Sequence, residues 1–561
     1  MQNQAIKKAA EPAAEPTVTG LEDASLAWWR GAVIYQIYPR SFFDSNGDGI
    51  GDLPGIYEKL DYVASLGVDG IWLSPFFTSP MVDFGYDVSD YCDVDPIFGT
   101  LADFDRIVEK SHRLGLKVVI DQVYSHTSNR HPWFRESKRS AENPKSDWYV
   151  WADAKPDGSP PNNWLSVFGG PGWTWDTKRE QYYFHNFLPG QPDLNVHNSE
   201  VQEAIFDTAR FWLRRGVDGF RLDALNFLMH DPALRDNPAI ANPPSSLPFD
   251  CQDHIYNKSH PDILDFLERL RAVIDEYPDK FTVAEIGGEY SLEEMQSYTS
   301  ADKRVNTAYG FQFLEADELT PEVIKSSITP WNPENGVTGW PSWAFSNHDR
   351  PRATSRWGGA GHETQFAKML VTLVCSLRGS AFLYQGEELG LPQSKVPYEL
   401  LVDPEGINNW PNHLDRDGTR TPMPWVEGTT NAGFSDAKPW LPVDDRHDAL
   451  AVNTQEADTS STLNYTRAFL RARAGMPALK VGDIDFVDAP DPLLAFTRSY
   501  GGKTLLCVFN LSAETQTDPI AFDGKKVWQF GPESTEVADG TLAPYGGYIM
   551  DVEQSQLRVA G

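Results

Sequence analysis

The sequence predicts an α/β protein built on a (β/α)8 barrel, with an inserted loop domain after the third strand and a C-terminal antiparallel β-sandwich domain. Three observations predict this fold. Short apolar runs typical of strands alternate with amphipathic stretches typical of helices. The tetrapeptide Gly-Val-Asp-Gly occurs at 67–70 and again at 216–219, each time between a helix and a strand. Finally, eight such strands are found, the number that closes a barrel of this kind.

The eight strands are predicted from apolar runs bounded by turn residues. They begin near residues 32, 67, 117, 217, 281, 307, 343 and 381. Helices are predicted over 56–66, 101–114, 199–215, 263–277, 363–377 and 465–474. A doubly wound open sheet is the alternative arrangement, but no Gly-x-Gly-x-x-Gly motif follows any strand.

Two gaps between strands are too long for plain connections. Residues 127–193 are rich in Trp, Pro, Gly and Asn without a long helical period, which predicts a small irregular domain B. A second polar insert covers about 389–445. The barrel, domain A, is therefore predicted over 25–126 and 194–476, and a β domain, domain C, over 477–561.

The composition indicates a globular protein with an acidic surface. Hydrophobic residues make up 40% of the 561 residues, and the formal net charge is −32. Such a surface disfavours nucleic acid and anionic membranes as partners, and no apolar run is long enough for a membrane helix. The oligomeric state, monomer or dimer, stays open.

Two features bear on the compartment. The four cysteines lie far apart without Cys-x-x-Cys spacing, which argues against a disulfide framework and suits a cytoplasmic enzyme. Residues 1–24 are rich in Ala, Glu and Pro, which predicts a disordered tail rather than a signal peptide.

Polar residues stand at the carboxyl ends of the predicted strands, where barrels of this kind carry their chemistry. They are Asp83 and Tyr86 after strand two, Asp121 and His126 at strand three, Arg221 and Asp223 at strand four, Glu285 at strand five, and His348 and Asp349 at strand seven. Each alone has a structural explanation, such as an ion pair, a helix cap or a hydrogen-bonded core histidine. Their convergence at one end of the barrel favours a site.

Three carboxylates in one pocket suggest glycosyl transfer, in which one carboxylate is the nucleophile and a second is the acid/base. Arg221 lies two residues before Asp223, on the same face of the strand, and favours its ionised form. Asp223 is therefore the predicted nucleophile and Glu285 the predicted acid/base. Asp349 is expected to bind sugar hydroxyls and to stabilise the cationic transition state.

The chain resembles the α-amylase family, glycoside hydrolase family 13. The motifs that carry this resemblance are 121–126, 219–224, the strand with Glu285, and Asn347-His348-Asp349. Segments 191–195 and 416–423 look like the α-glucosidase and oligo-1,6-glucosidase branch. The resemblance implies the three domains and the three catalytic roles given above. It also implies that Asp83, Tyr86, His126, Arg221, His348 and Arg416 hold the terminal glucose and that Phe168 forms a wall of the pocket.

The loop 44–52 predicts a structural site for Ca²⁺ or Mg²⁺. Its candidate ligands are the side chains of Asp44, Asn46, Asp48 and Asp52 and the backbone carbonyl of Ile50, at EF-hand positions 1, 3, 5, 9 and 7. The bidentate Glu of an EF-hand is missing, and an Asp/Gly-rich turn without a metal is the alternative. In many family members an Asn that precedes the third-strand histidine helps to ligate calcium between domains A and B. Here Ser125 precedes His126, so that inter-domain metal is not expected, and no organic cofactor is expected either.

The expected activity is that of an exo-acting retaining α-glucosidase. It would release α-1,4-linked glucose from maltose and short oligosaccharides through a covalent glucosyl-Asp intermediate, with transglucosylation as a further outcome. The alternatives on the same site are a sucrose hydrolase, an oligo-1,6-glucosidase or a glucosyl-transferring isomerase. A non-catalytic partner of a transporter is disfavoured, because all three acids are present and no membrane helix is found. Ala224 supports the α-1,4 preference, since Val at this place in similar enzymes accompanies α-1,6 substrates.

Overall fold

The structure, a computed structural model, describes residues 27–411, 416–520, 524–531 and 540–553. The predicted tail 1–24 lies outside these ranges. Eight parallel strands form the centre of the molecule. They are β1 Val33–Ile37, β2 Gly70–Leu73, β3 Lys117–Gln122, β4 Gly219–Leu222, β5 Phe281–Ile286, β6 Thr307–Gly310, β7 Trp340–Ala344 and β8 Ser380–Tyr384.

The eight strands close into a barrel in which each strand pairs with its neighbours in the chain and β8 pairs with β1. The predicted barrel is therefore confirmed, and the open-sheet alternative is wrong. The parallel register sets Arg221 beside Asp121 of β3, and sets Glu285 of β5 beside Tyr309 of β6. These four side chains thus stand at neighbouring positions before any loop contributes to the site.

One main helix follows each barrel strand. They are α1 Leu53–Ser65, α2 Leu101–Arg113, α3 Ser199–Arg214, α4 Ile263–Ile274, α5 Ser291–Tyr298, α6 Pro321–Ile328, α7 Glu363–Ser376 and α8 Thr462–Ala474. The sequence did not predict α5 and α6, because eight residues each give barely two turns of apolar period. Shorter helices are Pro132–Ser137, Ala353–Arg356, Pro404–Asn409, Asp445–Asp448, Val452–Ala457 and Pro477–Val481.

The repeated Gly-Val-Asp-Gly segment has the same structural role in both copies. Its first glycine has a positive φ, +86° at Gly67 and +93° at Gly216, and ends a helix. The aspartate then binds the neighbouring strand: Asp69 accepts a hydrogen bond from the N–H of Val33, and Asp218 accepts one from the N–H of Val118. The segment therefore ends a helix, begins a barrel strand and hydrogen-bonds that strand to its neighbour.

Alternate residues of the barrel strands divide the core into two parts. Ile34, Trp72, Val119, Val283 and Phe382 fill the barrel interior. The residues between them, such as Val33 and Ile71, pack outward against the helices. This alternation is expected for strands that are buried on both faces.

The segment after β3 contains a small sheet rather than only irregular chain. Three short antiparallel strands, Trp151–Ala152, Trp173–Asp176 and Gln181–Phe184, pack around Trp164 and Val150. Strands this short give no alternating pattern in the sequence, which is why the sheet was not predicted. A second two-stranded sheet, Phe77–Thr78 with Asp90–Val94, follows β2.

The C-terminal part is the predicted antiparallel β domain. Its five-stranded sheet contains, in spatial order, Asp483–Val487, Leu493–Tyr500, Lys503–Asn510, Gly547–Val552 and Gly524–Phe530. Gln516–Thr517 and Thr541–Leu542 form a separate two-stranded sheet. One face of the large sheet joins the main core through Phe496, Cys507 and Ile549. Across the part of the chain that the structure describes, no helix is both long enough and apolar enough to cross a membrane.

Candidate active site

A single buried guanidinium organises the polar residues at the carboxyl ends of β3, β4 and β5. Arg221 is fully buried, and its Nη1 donates to Asp121 Oδ1 at 2.7 Å and to Asp223 Oδ1 at 2.5 Å. Its Nη2 lies 2.5 Å from Glu285 Oε1. The predicted nucleophile and the predicted acid/base therefore share one cation.

Glu285 is oriented by two further donors. The hydroxyl of Tyr309 donates to Glu285 Oε1 at 3.1 Å, and the backbone N–H of Ala224 donates to Oε2 at 3.0 Å. Tyr309 also accepts hydrogen bonds from Arg221, at 3.0 and 3.1 Å. Both oxygens of the Glu285 carboxyl are thus fixed in place, as a positioned acid/base requires.

Asp121 is a supporting carboxylate at the bottom of the site. It accepts hydrogen bonds from Trp72 Nε1 at 3.0 Å and from the hydroxyl of Tyr86 at 3.3 Å. Burial raises its pKa to about 6, although Arg221 opposes the shift. Arg221 and Trp72 thus offset part of the effect of burial on this carboxyl.

The charges around Asp223 oppose one another. Burial raises its pKa well above the usual value, Arg221 lowers it, and the carboxylates of Glu285, Asp121 and Asp349 raise it further. Arg221 does favour the ionised form of Asp223, as predicted, but burial and the three neighbouring carboxylates act against it. Because one guanidinium serves three carboxyl groups, the cluster favours holding at least one proton. A glycosidase needs one proton on its acid.

Asp349 lies in a more positive environment. It contacts His348 Nε2 at 3.2 Å, Arg416 Nη1 at 3.3 Å and Arg420 Nη2 at 2.8 Å. Burial acts to raise the pKa of this carboxyl, but the Nε2–H of His348 and the guanidiniums of Arg420 and Arg416 outweigh it and hold the pKa well below the usual range. Asp349 is therefore the carboxylate of the site that stays ionised most readily.

His348 is a buried neutral histidine whose proton lies on Nε2. Gln36 Nε2 donates to its Nδ1 at 2.8 Å, so its Nε2 carries the proton and faces Asp349 and the hydroxyl of Tyr86. The rings of Tyr86 and His348 stack at 5.4 Å between centroids. Burial lowers the pKa of His348 well below its usual value, so it acts as a hydrogen-bond donor and not as a charge.

A second ion-pair cluster closes the far side of the site. Arg416 Nη2 lies 2.8 Å from Asp83 Oδ1 and 2.7 Å from Asp403 Oδ1. The guanidinium carbon of Arg416 lies 4.9 Å from the ring centroid of Phe168. Burial raises the pKa of Asp83 to about 6 against the effect of Arg416. The loops after β2 and β8, the two strands that flank β1, are therefore joined by buried charged groups.

His126 and Gln191 complete this side. Gln191 Nε2 donates to Asp83 Oδ2 at 3.1 Å and lies 3.2 Å from His126 Nε2. Ser125 Oγ lies 2.9 Å from His126 Nδ1 and so holds the ring. Burial lowers the pKa of His126 to about 4, which leaves the imidazole neutral. All ten predicted catalytic and substrate-binding residues thus fall within two connected clusters.

The loop 44–52 lies apart from these clusters. Asp44 accepts hydrogen bonds from the N–H groups of Asn46, Gly47 and Gly49 and from Ser435, and its pKa is lowered although burial opposes this. Asp52 caps helix α1 through Gly55 N–H. Asn46 and Asp48 accept from the N–H groups two residues later. The donor set is all oxygen and suits a hard cation, but the three aspartates do not all lie within 4.8 Å of one another.

Sequence reasoning missed several residues of the site. Tyr309 had one signal, its place on the strand next to Glu285, where a tyrosine hydroxyl can reach a carboxyl. Arg420 and Gln191 lie inside motifs that were recognised, but no role was given to them. Asp403 comes from the polar insert after β8, and nothing in its sequence context separates it from a surface carboxylate.

Comparisons with known proteins agree with this geometry. The family described as "Alpha amylase, catalytic domain" matches residues 36–482. A probable alpha-glucosidase of Rhizobium meliloti (strain 1021) is 54% identical, over 90% of this chain and 93% of the relative. An oligo-1,6-glucosidase of Parageobacillus thermoglucosidasius is 38% identical, over 87% and 91%. The crystal structure of an alpha-glucosyl transfer enzyme, XgtA, superposes with a TM-score of 0.90 at 52% identity, over 94% of this chain and 100% of that one.

Proposed function

The chain belongs to the α-amylase family and is a glycoside hydrolase of its α-glucosidase branch, and from this premise we propose that it is an exo-acting retaining α-glucosidase. The proposed substrates are maltose and short α-1,4-linked oligosaccharides. The observation that carries the proposal is the sharing of Arg221 between Asp223 and Glu285, with the ionised Asp349 opposite.

The proposed reaction has two steps. In the first, Asp223 attacks the anomeric carbon while Glu285 gives its proton to the leaving oxygen, so that a glucosyl-Asp223 ester forms and the aglycone departs. In the second, Glu285 removes a proton from water, and the resulting hydroxide oxygen displaces Asp223. Asp349 stabilises the positive charge that develops on the sugar ring in both steps.

Retention of configuration is proposed from the contact that the two carboxyl groups share with Arg221. In retaining enzymes the nucleophile and the acid/base lie about 5–5.5 Å apart, whereas inverting enzymes leave room for a water between them. Arg221 contacts both groups at 2.5 Å through its two terminal nitrogens. One guanidinium that bridges both groups supports the shorter separation.

Exo action is proposed from the closed side of the pocket. The buried pair Asp83–Arg416 joins the loops after β2 and β8 at one side of the site, and the Phe168 ring lies 4.9 Å from the Arg416 guanidinium. A chain that continued beyond the terminal glucose would have to break these contacts. The pocket therefore suits a single non-reducing glucose, whose hydroxyls Asp83, His126 and Arg416 are placed to bind.

Transglucosylation is a second candidate outcome on the same intermediate. A sugar hydroxyl in place of water would give transfer instead of hydrolysis, with the same roles for Asp223 and Glu285. The specific observation in its favour is the similarity to a protein described as an alpha-glucosyl transfer enzyme.

We further propose that the loop 44–52 holds a structural Ca²⁺ or Mg²⁺ through Asp44, Asn46, Asp48, Asp52 and the carbonyl of Ile50, without a part in the chemistry.

One experiment tests the proposed function. The protein is incubated separately with maltose, isomaltose, sucrose, trehalose and starch, and the initial rate of glucose release and the first-formed anomer are measured. We expect maltose to be cleaved faster than isomaltose, starch to be a poor substrate, and the first glucose to be the α-anomer. A β-anomer as the first product would overturn the retaining mechanism, and rapid shortening of starch would overturn exo action.

A further inference from the structure

Two histidines and an aspartate meet outside the active site. His197 lies two residues before helix α3, and His260 and Asp262 directly precede helix α4. Asp262 Oδ2 lies 3.7 Å from His197 Nδ1 and 3.7 Å from His260 Nδ1. Among the described residues, this is the cluster of three His, Cys, Asp or Glu side chains whose ligand atoms all lie within 4.8 Å. The catalytic reaction proposed above uses none of the three.

We propose that His197, His260 and Asp262 bind a divalent transition metal ion, and that Zn²⁺ is the ion that this set of ligands fits. Zn²⁺ takes imidazole nitrogen at about 2.0–2.1 Å and carboxylate oxygen at about 2.0–2.2 Å in a tetrahedral arrangement. Ligand atoms 3.7 Å apart need only a small closing movement to share such an ion. A water molecule completes the fourth position.

The hydrogen bonds around the cluster prepare its nitrogens for a metal. His197 Nε2 lies 2.7 Å from the backbone carbonyl of His230, so Nε2 carries the proton and Nδ1 presents its lone pair toward Asp262. This arrangement, in which a carbonyl holds the remote N–H of a metal-binding histidine, orients the ring and fixes its tautomer. The N–H of Asp262 donates to His260 Nδ1 at 3.3 Å, so that nitrogen is unprotonated, and this long hydrogen bond would be exchanged for the bond to the metal.

Exposure differs among the three ligands in a way that suits entry of an ion. The side chains of His197 and His260 are 19% and 20% exposed, and that of Asp262 is 59% exposed. The Asp262 side chain makes no capping hydrogen bond at the start of α4, although it occupies the capping position. Its carboxylate can therefore rotate onto an ion that the two partly buried rings already hold.

The site joins the two chain segments that lead into helices α3 and α4. Helices α3 and α4 follow β3 and β4, whose carboxyl ends hold Asp121, Arg221 and Asp223. The bound ion would clamp the chain before α3 to the long segment between β4 and α4. Because the ion binds the folded state, it should raise the thermal stability of the protein, and by more as the free ion concentration exceeds the Kd.

Zn²⁺ binding by the metal-stripped full chain tests this proposal. Calorimetric titration in excess Mg²⁺, which fills oxygen sites such as the loop 44–52, should show one Zn²⁺ per chain. His197→Gln, His260→Gln and Asp262→Asn should each weaken this binding at least tenfold. His112→Gln is the matched control, because His112 also pairs with an aspartate, Asp218 at 2.7 Å, and its side chain is 41% exposed. Within the described part of the chain, however, this pair belongs to no cluster of three such ligands.

A spectroscopic measurement separates loss of the site from loss of the fold. Co²⁺ should give the visible absorption of a tetrahedral site in the wild type and in the control, and should lose it in Asp262→Asn. The melting temperature of metal-free Asp262→Asn should stay at the wild-type value, because its exposed side chain makes no capping bond. Absence of Zn²⁺ binding by the wild type, or equal binding by the His197→Gln/His260→Gln double variant, would overturn the proposal.

Discussion

Ala224 combines two properties that link backbone geometry to catalysis. It follows Asp223 with a left-handed backbone, φ +41° and ψ +48°, and its N–H holds Glu285 Oε2 at 3.0 Å. Its side chain is partly exposed beside the two carboxyl groups. A larger residue here would therefore occupy space next to the leaving group, and a β-branched residue would also strain the backbone.

The substitution Ala224→Val should shift the ratio of maltose to isomaltose hydrolysis toward isomaltose. A branched side chain fills volume that a 1,4-linked second sugar would use, whereas a 1,6 link has an additional rotatable bond. The shift should correspond to about 1–3 kcal/mol in the ratio of the two kcat/KM values. The ratio is the informative quantity, because backbone strain lowers both rates together. A ratio that does not move would place the choice of linkage elsewhere.

The substitution Tyr309→Phe tests a residue that the sequence did not reveal. The change removes the hydroxyl that bridges Arg221 and Glu285 but keeps the ring that packs on Trp72 and Phe382. A hydrogen bond to a charged group contributes about 1.5–3 kcal/mol, so kcat/KM should fall by roughly 10- to 200-fold. The pH profile should shift as well, because the acid loses a donor.

Tyr182→Phe is the matched control for this prediction. Its hydroxyl donates to the carbonyl of Gly158 in the insert, away from the carboxyl groups. It should leave kcat/KM and the pH profile unchanged. An unchanged pH profile and rate in Tyr309→Phe would mean that the tyrosine has only a packing role.

At the scale of single elements, the loop 44–52 offers a clean probe in Asp48. Asp44 and Asp52 have structural roles, because Asp44 accepts four hydrogen bonds and Asp52 caps α1. The Asp48 carboxylate, in contrast, accepts only the N–H of Ile50 among the described hydrogen bonds. Chelation should lower the melting temperature of the wild type, because a cation that binds only the folded state stabilises it. Asp48→Ala should remove this sensitivity. Equal melting of wild type with chelator and with Ca²⁺ would contradict a cation in this loop.

The short helix Pro132–Ser137 should carry a pH dependence through His131. His131 Nδ1 accepts the N–H of Trp133 at 3.1 Å and caps the helix, and burial, with a smaller effect from Lys145, lowers its pKa to about 3. In the unfolded chain a histidine has a pKa of about 6.5. The unfolded state therefore gains a proton first as the pH falls, so the stability contributed by neutral His131 is present above pH 6.5 and is lost progressively below it.

His131→Asn isolates this effect, because Asn also caps helices but does not titrate. The difference in unfolding free energy between wild type and variant should decrease by about 2 kcal/mol from pH 7 to pH 5. Chemical denaturation at the two pH values measures it. A difference that is independent of pH would show that His131 is protonated to the same degree in both states.

For the whole molecule, the sequence allowed prediction of the helices and strands whose apolar residues recur at regular spacing. All eight barrel strands begin within three residues of their predicted starts, because buried parallel strands and amphipathic helices give strong periodic signals. The three-stranded sheet after β3 and helices α5 and α6 were missed, because they are too short for a period to show. The domain boundaries as numbered in the sequence stay predictions.

The residues of the active site also fall into two groups, those that a sequence pattern predicts and those that it does not. Residues at strand ends, such as Arg221 and Glu285, could be predicted because a barrel brings all its strand ends to one face. Contacts between distant loops could not. The pairing of Asp403 with Arg416 depends on how the insert after β8 folds back, and no local pattern encodes that path. The protonation of the carboxyl cluster likewise depends on three-dimensional charge spacing, which the order of residues does not give.

The central claim is a covalent glucosyl intermediate on Asp223 that Glu285 helps to form and to release. The most direct test is Glu285→Gln treated with an α-glucosyl fluoride, whose leaving group needs little acid assistance, followed by intact mass and peptide mapping. The claim predicts that one added hexose accumulates on Asp223, and that the Glu285→Gln/Asp223→Ala double variant gains none. A Glu285→Gln protein that consumes the fluoride without any adduct, or an adduct on another residue, would contradict it.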